Sequence, residues 1–171
     1  SAEQPWEKVA VMCPHVIWDK HENIFKMWYS GGEQYEPDAI GYATSKDGLH
    51  CTKFDKNPIF KADPAQSWEQ HKVTACQVIE RENDYLMFYI GFYDINFAQI
   101  GMARSKDGIN DWERYSENPI ISPTEGGWDA SATYKPFAIQ EKDCWMLWYN
   151  GRNEHLEQIG LAIYDNHDLN F

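Results

Sequence analysis

The chain has 171 residues, with 15 Lys and Arg against 27 Asp and Glu and a formal net charge of −12. That balance excludes the clustered basic surface that grips a nucleic-acid backbone and disfavours adsorption to an anionic membrane; it leaves neutral sugars as compatible partners. No apolar run reaches the roughly 18 residues of a membrane-spanning helix. The four cysteines, Cys13, Cys51, Cys76 and Cys144, form neither a Cys-x-x-Cys pair nor a zinc-like spacing. No histidine pair has ligand spacing either, so neither a metal nor a cofactor is expected. Four thiols without a pairing pattern, and no charged-then-apolar leader, lean toward a reducing, cytoplasmic setting.

In chain order, the first unit opens with Trp6-Glu7 and continues as four short stretches of strand character: Val11–Trp18, Ile24–Ser30, Ala39–Ser45 and Cys51–Phe54. Aromatic and β-branched residues dominate them, and Asp47-Gly48 supplies a tight turn in which glycine tolerates positive φ. The unit then recurs. Met27-Trp28-Tyr29 returns as Met87-Phe88-Tyr89 and Leu147-Trp148-Tyr149, each 60 residues on. Ile40-Gly41-Tyr42-Ala43 returns as Ile100-Gly101-Met102-Ala103 and Ile159-Gly160-Leu161-Ala162. Ser45-Lys46-Asp47-Gly48 returns unchanged as Ser105-Lys106-Asp107-Gly108, and Asn57-Pro58-Ile59 as Asn118-Pro119-Ile120. Trp6-Glu7, Trp68-Glu69 and Trp128-Asp129 precede the three copies in the same frame.

Four-stranded antiparallel units repeated in this way predict an all-β fold, a β-propeller with three blades in this chain. The repeats run over about 1–62, 63–122 and 123–171, and residues 1–171 are expected to form a single propeller-type domain. The third copy is incomplete, because only Asn170-Phe171 follow Leu169 where a fourth strand is due. Three blades do not close a ring. A homodimer closing six blades is therefore expected, with membership of a longer protein as the alternative.

A meander puts the entrance to its first strand and the loop between strands two and three at one end. The Ser-Lys-Asp-Gly turn lies at the other end and reads as scaffold. Trp6, Trp68 and Trp128 recur in every copy and are expected to pack the blades, although Trp128 is kept as a surface on which a sugar ring could stack. Glu7, Glu69 and Asp129 recur with them, and are expected to accept backbone N–H groups at a turn. Positions that differ between copies point to a site: Cys13, Ala75 and Lys135, then His15, Gln77 and Phe137, with Val9-Ala10 set against His71-Lys72. The loops after the second strands differ as well. Cleaving a glycosidic bond takes two carboxyl groups, and Glu36, Glu33 and Asp94 are the catalytic candidates, with Asp38 also in reach by location. His15, His71, Lys72, Lys135, Arg152 and Glu154 are candidates for binding hydroxyls or a phosphate.

Met27-Trp28-Tyr29-Ser30-Gly31-Gly32, the run from Ile40 to Gly48, and Asn57-Pro58-Ile59 resemble the blades of five-bladed propeller glycosidases of glycoside hydrolase family 43 and the related families 32 and 130. The resemblance covers nearly the whole chain and implies a carbohydrate-active protein, glycosidase or glycoside phosphorylase, acting on an oligosaccharide or glycoside. Families of this kind place catalytic carboxylates just before a proline at the start of an inner strand. The corresponding pairs here are Cys13-Pro14, Ala75-Cys76 and Lys135-Pro136, and none is acidic. A sugar-binding propeller without turnover and a protein-interaction propeller are the alternative readings.

Overall fold

A computed structural model describes residues 4–171. The first sheet holds β1 (Ala10–Asp19), β2 (Ile24–Gly32), β3 (Ala39–Ser45) and β4 (Cys51–Lys53), with the short β5 (Phe60–Lys61) pairing β3 beyond β4. The second holds β6 (Lys72–Glu80), β7 (Tyr85–Phe92), β8 (Ala98–Ser105) and β9 (Glu113–Arg114). The third has three strands, β10 (Ala132–Glu141), β11 (Cys144–Asn153) and β12 (Leu156–Tyr164). Every pairing is antiparallel, and apart from β5 on β3 each joins consecutive strands. The strands fall where alternation and turn chemistry predict them. β1 and β2 run slightly further, since pairing continues to Ala10 opposite Gly32. β5 is too short for a periodic signal.

The sheets face one another, and the core lies between them. Trp28, Ile40, Tyr42, Tyr85, Met87 and Tyr89 fill the space between the first and second sheets. Leu86, Phe88, Ile100, Met102, Trp145 and Leu147 fill that between the second and third. This explains why β7 reads as an unbroken apolar run from Tyr85 to Ile90: both faces of the middle sheet are covered. Polar bonds cross the same gaps. Trp28 Nε1 donates to the Gly108 carbonyl at 2.7 Å. His15 Nε2 lies 2.9 Å from the Val78 carbonyl, and Gln77, the next residue in that frame, both donates to Ala138 O at 2.9 Å and accepts from its N–H.

Each sheet is clasped by its tryptophan. Trp68 lies across the glycines of β7 and β8 so closely that a Cβ built on either Gly91 or Gly101 would come within 2.3 Å of its indole. Trp6 covers Gly31 and Gly41, and Trp128 covers Gly151 and Gly160, in the same way. The neighbouring carboxylates are buried: Glu69 accepts from Tyr89 Oη at 2.6 Å, pairs with Arg114 at 2.6 Å and takes the Asp63 N–H at 3.1 Å. Glu7 pairs with Lys53 and accepts the Gln4 N–H. Asp129 accepts the Thr124 N–H and Tyr149 Oη, both at 3.2 Å. The Ser-Lys-Asp-Gly turns are self-contained, with Asp47 and Asp107 each accepting two backbone N–H groups of their own turn.

Gly91→Ala is expected to lower stability by about 1–3 kcal/mol, because the added methyl must displace an indole and the Glu69 Cβ from a packed interface. Thermal or denaturant unfolding of the two proteins measures it.

Candidate functional site

The first strands are interrupted at one equivalent place. Register shifts fall between Met12 and His15, between Thr74 and Cys76, and between Tyr134 and Phe137. At each, a non-glycine residue takes the left-handed conformation: Cys13 with φ 52°, Ala75 with φ 40° and Lys135 with φ 52°. Such bulges bend a strand and re-aim a side chain, and strain of this kind is retained where the surroundings enforce it. The three bulged positions converge on a cleft of about 480 Å³. The loop carrying Glu36, the end of β7 at Phe92, Asn96 of the following loop, Arg152 of β11 and Glu157 of β12 complete its wall.

Charge inside the cleft is organised around Lys72. Its side chain is buried, its ammonium lies 4.3 Å from the centre of the Phe92 ring, and it pairs with Glu36. The pairing and the Lys72 charge hold the Glu36 carboxyl below the usual carboxylate range, with His71 adding a smaller pull. Arg152 donates to the Asn96 carbonyl at 2.9 Å, tying the third sheet to the loop of the second. It also stands directly across from Glu157 in the β11–β12 register. Thr74 Oγ1 in the wall is buried without a hydrogen-bonded partner among the described residues, and the buried Tyr134 hydroxyl lies beside the Glu157 carboxylate. Burial, followed by the nearby Glu157 carboxylate, pushes the Tyr134 hydroxyl up to about 12. Partial burial raises the Cys13 thiol, and the Lys135 ammonium opposes that rise. No group of His, Cys, Asp and Glu suited to a metal occurs among the described residues.

Of the residues singled out from sequence, Glu36, Lys72, Lys135 and Arg152 line this cleft together. The others stand elsewhere. His15 is turned into the gap between the first two sheets, bonded to Val78. Trp128 lies over Gly151 and Gly160 and stacks on Tyr149. Asp94 accepts the N–H groups of Asn96 and Phe97 at 2.8 Å, which lowers its carboxyl below the usual range. Glu33 and His71 are exposed on the rim, and Glu154 sits at the tip of a two-residue turn with φ 54°. Asp38, also exposed, is raised by burial first and by Glu33 second.

Thr74, Tyr134, Asn96 and Glu157 were not among the candidates. Glu157 had a readable signal: a two-residue turn at Glu154-His155 places it opposite Arg152, whereas the turn residue Glu154 points out. Thr74 and Tyr134 each directly precede a bulged residue, and their orientation depends on that bulge, which alternation does not reveal.

A larger hollow of about 540 Å³ lies between the second and third sheets. Its walls are mainly apolar, from Phe88, Met102, Trp145 and Leu147, with Glu117 the one charged residue lining it. It lacks the convergent polar groups that fix a ligand's orientation.

No protein-family model matches the chain. It is similar to the 1,2-beta-oligomannan phosphorylase of Thermoanaerobacter sp. (strain X514), 32% identical over a 223-residue alignment that covers 98% of this chain and 73% of that protein. A solved glycoside hydrolase superposes on 94% of the chain with a TM-score of 0.78 at 22% identity. A structure from the family 130 mannoside phosphorylases and hydrolases that target beta-1,2 mannosidic linkages superposes on 92% with a TM-score of 0.66 at 19% identity. The chain spans about half the length of these two solved structures, 47% and 48%. The chain thus belongs to the β-propeller family of glycoside phosphorylases and hydrolases that includes the 1,2-beta-oligomannan phosphorylase.

Proposed function

We propose that the cleft holds an oligosaccharide of β-1,2-linked mannose and that its glycosidic bond is cleaved there with inorganic phosphate as acceptor. One observation carries this reading: in a chain of net charge −12, Lys72, Lys135 and Arg152 converge on one cleft beside the buried hydroxyls of Thr74 and Tyr134. Clustered cations suit a phosphate, and hydroxyl groups, which donate and accept, suit the hydroxyls of a sugar. The similarity to a 1,2-beta-oligomannan phosphorylase supports the choice of acceptor and linkage. In the reaction the bond from the anomeric carbon to the bridging oxygen breaks, a bond from that carbon to a phosphate oxygen forms, and the departing sugar oxygen takes up a proton from water, balanced by the proton that hydrogen phosphate loses to Glu36 and Glu36 returns to solvent. Glu36, kept ionised by Lys72, accepts the proton of hydrogen phosphate as it attacks.

Glu36→Gln is expected to lower phosphate-dependent release of mannose 1-phosphate from β-1,2-mannobiose by about a hundredfold or more, with sugar affinity changed only a few-fold. Turnover that persists in the variant, or that needs no phosphate, contradicts the assignment. The pH profile gives an independent check. Lys72 favours the ionised carboxylate, so activity survives to lower pH than a free carboxylate allows. In Lys72→Met the acid limb moves to higher pH.

A second reading, sugar binding without turnover, is favoured by the bulged positions themselves, since Cys13, Ala75 and Lys135 include no carboxylate. Saturable binding of the disaccharide by the wild-type chain, with no product formed at any phosphate concentration, selects it.

The proposal extends to assembly as one propeller-type domain whose end sheets meet those of a second copy. Val16 and Trp18 are exposed on the first sheet, and Phe137, Ile139 and Leu161 on the third. Phe137 is 53% exposed at the position from which His15 and Gln77 reach the next sheet. Two copies, each covering the other's end sheet, make a ring of six. Light scattering is expected to give twice the 20.0 kDa chain mass, and Phe137→Arg to return it to the monomer value. A wild-type monomer at working concentration removes this part of the proposal.

A further inference from the structure

The four thiols are unevenly placed. Cys144 opens β11 at its turn from β10, and Cys51 opens β4 opposite Ser45; both lie at the ends of their sheets away from the cleft. Cys13 and Cys76 lie at the cleft end. Cys13 is the bulged residue of β1, exposed and part of the cleft wall. Cys76 is half-buried and directly follows the bulged Ala75 of β6.

Both thiols face one joint. Cys76 packs against the apolar cluster between the first and second sheets, on the side of β6 that carries Val78. Gln77 between them is turned the other way, to Ala138. Ala75, the counterpart of Cys13, packs against Ile90, Ala98 and the third sheet's Ala132. Cys13, one sheet earlier and with the same left-handed backbone, is directed toward the second sheet in the same manner. Two bonds across the joint bracket the pair. Ser30, paired with Met12, accepts the Ala75 N–H on its Oγ at 2.8 Å, and His15 Nε2 lies 2.9 Å from the Val78 carbonyl. Cys13 falls between Met12 and His15, and Cys76 between Ala75 and Val78. Burial raises the Cys76 thiol, and the Cys13 thiolate raises it further, so the two sulfurs are within electrostatic reach of one another. At the next joint the equivalent residues are Ala75 and Pro136, so the pair belongs to one joint alone among the described residues.

The geometry points to Cys13 and Cys76 as a thiol–disulfide exchange site for a low-molecular-weight disulfide such as oxidised glutathione, which leaves the first two sheets joined by a reversible covalent bond at the cleft. Cys13 is the entering thiol, because it is exposed and the Lys135 ammonium favours its thiolate. That thiolate attacks one sulfur of the small disulfide; a mixed disulfide on Cys13 forms, the small disulfide's own S–S bond breaks, and one thiolate leaves. The Cys76 thiolate then attacks Cys13 Sγ, the second small thiolate leaves, and the Cys13–Cys76 bond remains. The two protons lost by the cysteines end on the two departing thiolates, and the two electrons given up by the protein sulfurs reduce the small disulfide. Burial makes the Cys76 thiolate scarce, but a more basic thiolate is the stronger nucleophile, and its target is held beside it. The bond withdraws the Cys13 sulfur from the cleft wall. Any effect of that on turnover rests on the function proposed above, whereas the bond itself does not.

The reduced 171-residue chain is incubated with excess oxidised glutathione, quenched in acid, digested without reductant and mapped by mass spectrometry. A peptide pair joined through Cys13 and Cys76 is expected, two hydrogens lighter than the sum of its parts and separated again by dithiothreitol. Cys51 and Cys144 are expected to carry glutathione or nothing. Cys76→Ser holds the reaction at its first step, with one glutathionyl group on Cys13, and Cys13→Ser leaves Cys76 unmodified. In the reduced wild-type chain iodoacetamide is expected to alkylate Cys13 about tenfold or more faster than Cys76, since reactivity follows exposure and thiolate fraction. Glutathione on Cys13 with no link to Cys76 in the wild-type chain, both residues unmodified there, or a link that forms only after unfolding in urea, each overturns the inference and leaves Cys76 a small apolar filler. The wild-type mapping needs no variant, so the outcome does not depend on how either substitution folds. A chain that forms the link but cleaves no mannobiose refutes the function proposed above and leaves this site standing.

Discussion

The whole arrangement depends on an indole lying flat across two strand glycines. Trp6, Trp68 and Trp128 each approach the backbone of a second and third strand more closely than any Cβ permits, so the glycines are demanded by contact, not by turn geometry. The indole also carries the next residue inward. A carboxylate that follows such a tryptophan has nowhere to go but under it, and Glu7, Glu69 and Asp129 are all buried there. A buried charge needs compensation, and the first two find it on the fourth strand of their own sheet. Packing, charge and strand order are therefore one constraint: the tryptophan fixes where the carboxylate goes, and the carboxylate recruits the strand that completes the sheet.

With the sheets held in this way, the starts of their first strands are brought side by side, and the bulges at Cys13, Ala75 and Lys135 act on that proximity. A regular strand would alternate its side chains between the two faces and send nothing into the space between neighbouring sheets' ends. A bulge breaks the alternation once and turns a residue toward the rim. Burial follows the same geometry: Lys72, the first residue of β6, keeps a buried ammonium by pairing with Glu36 and lying over Phe92. The cations of this acidic chain that gather here are held in place by strand ends and a carbonyl contact, as Arg152 is by Asn96, not by long flexible loops.

Repetition made the fold legible. Residues that recur at one interval do so because each sheet must solve the same packing problem, and Trp68-Glu69 with Gly91 and Gly101 states that problem in full. The site was legible only in part. Comparing unequal positions drew attention to the strand entrances and gave Lys72, Lys135 and Arg152, which line one cleft and are fixed by strand position. It did not separate residues that face the cleft from those that serve the joints. His15 differs between copies because its bond to Val78 is solved differently from the bond of Gln77 to Ala138, and Phe137 differs because no further sheet among the described residues faces it. Variation between repeats thus marks both function and the uneven surroundings of end sheets, and only the direction of each side chain tells them apart. Thr74 and Tyr134 were invisible for the complementary reason: what distinguishes them is a hydroxyl buried next to a bulge, which no residue type announces.

The absence of acidic residues at the three bulges bears on how such a site can work. A carboxylate at a bulge would stand at the point where strain and convergence are greatest. Here that point is occupied by a thiol, a methyl and an ammonium, and the carboxylates come from the next layer, Glu36 on a loop and Glu157 at a strand entrance. Glu36 is the more constrained of the two, because Lys72 fixes its charge state as well as its position. Lys135, by contrast, projects its charge from a strained backbone with no salt-bridge partner among the described residues. A left-handed lysine with φ 52° is costly to keep unless the direction it gives the side chain matters, and the direction it gives is into the cleft. The cleft is therefore lined by three cations, Lys72, Lys135 and Arg152, against two carboxylates, Glu36 and Glu157, a small positive excess in an acidic chain.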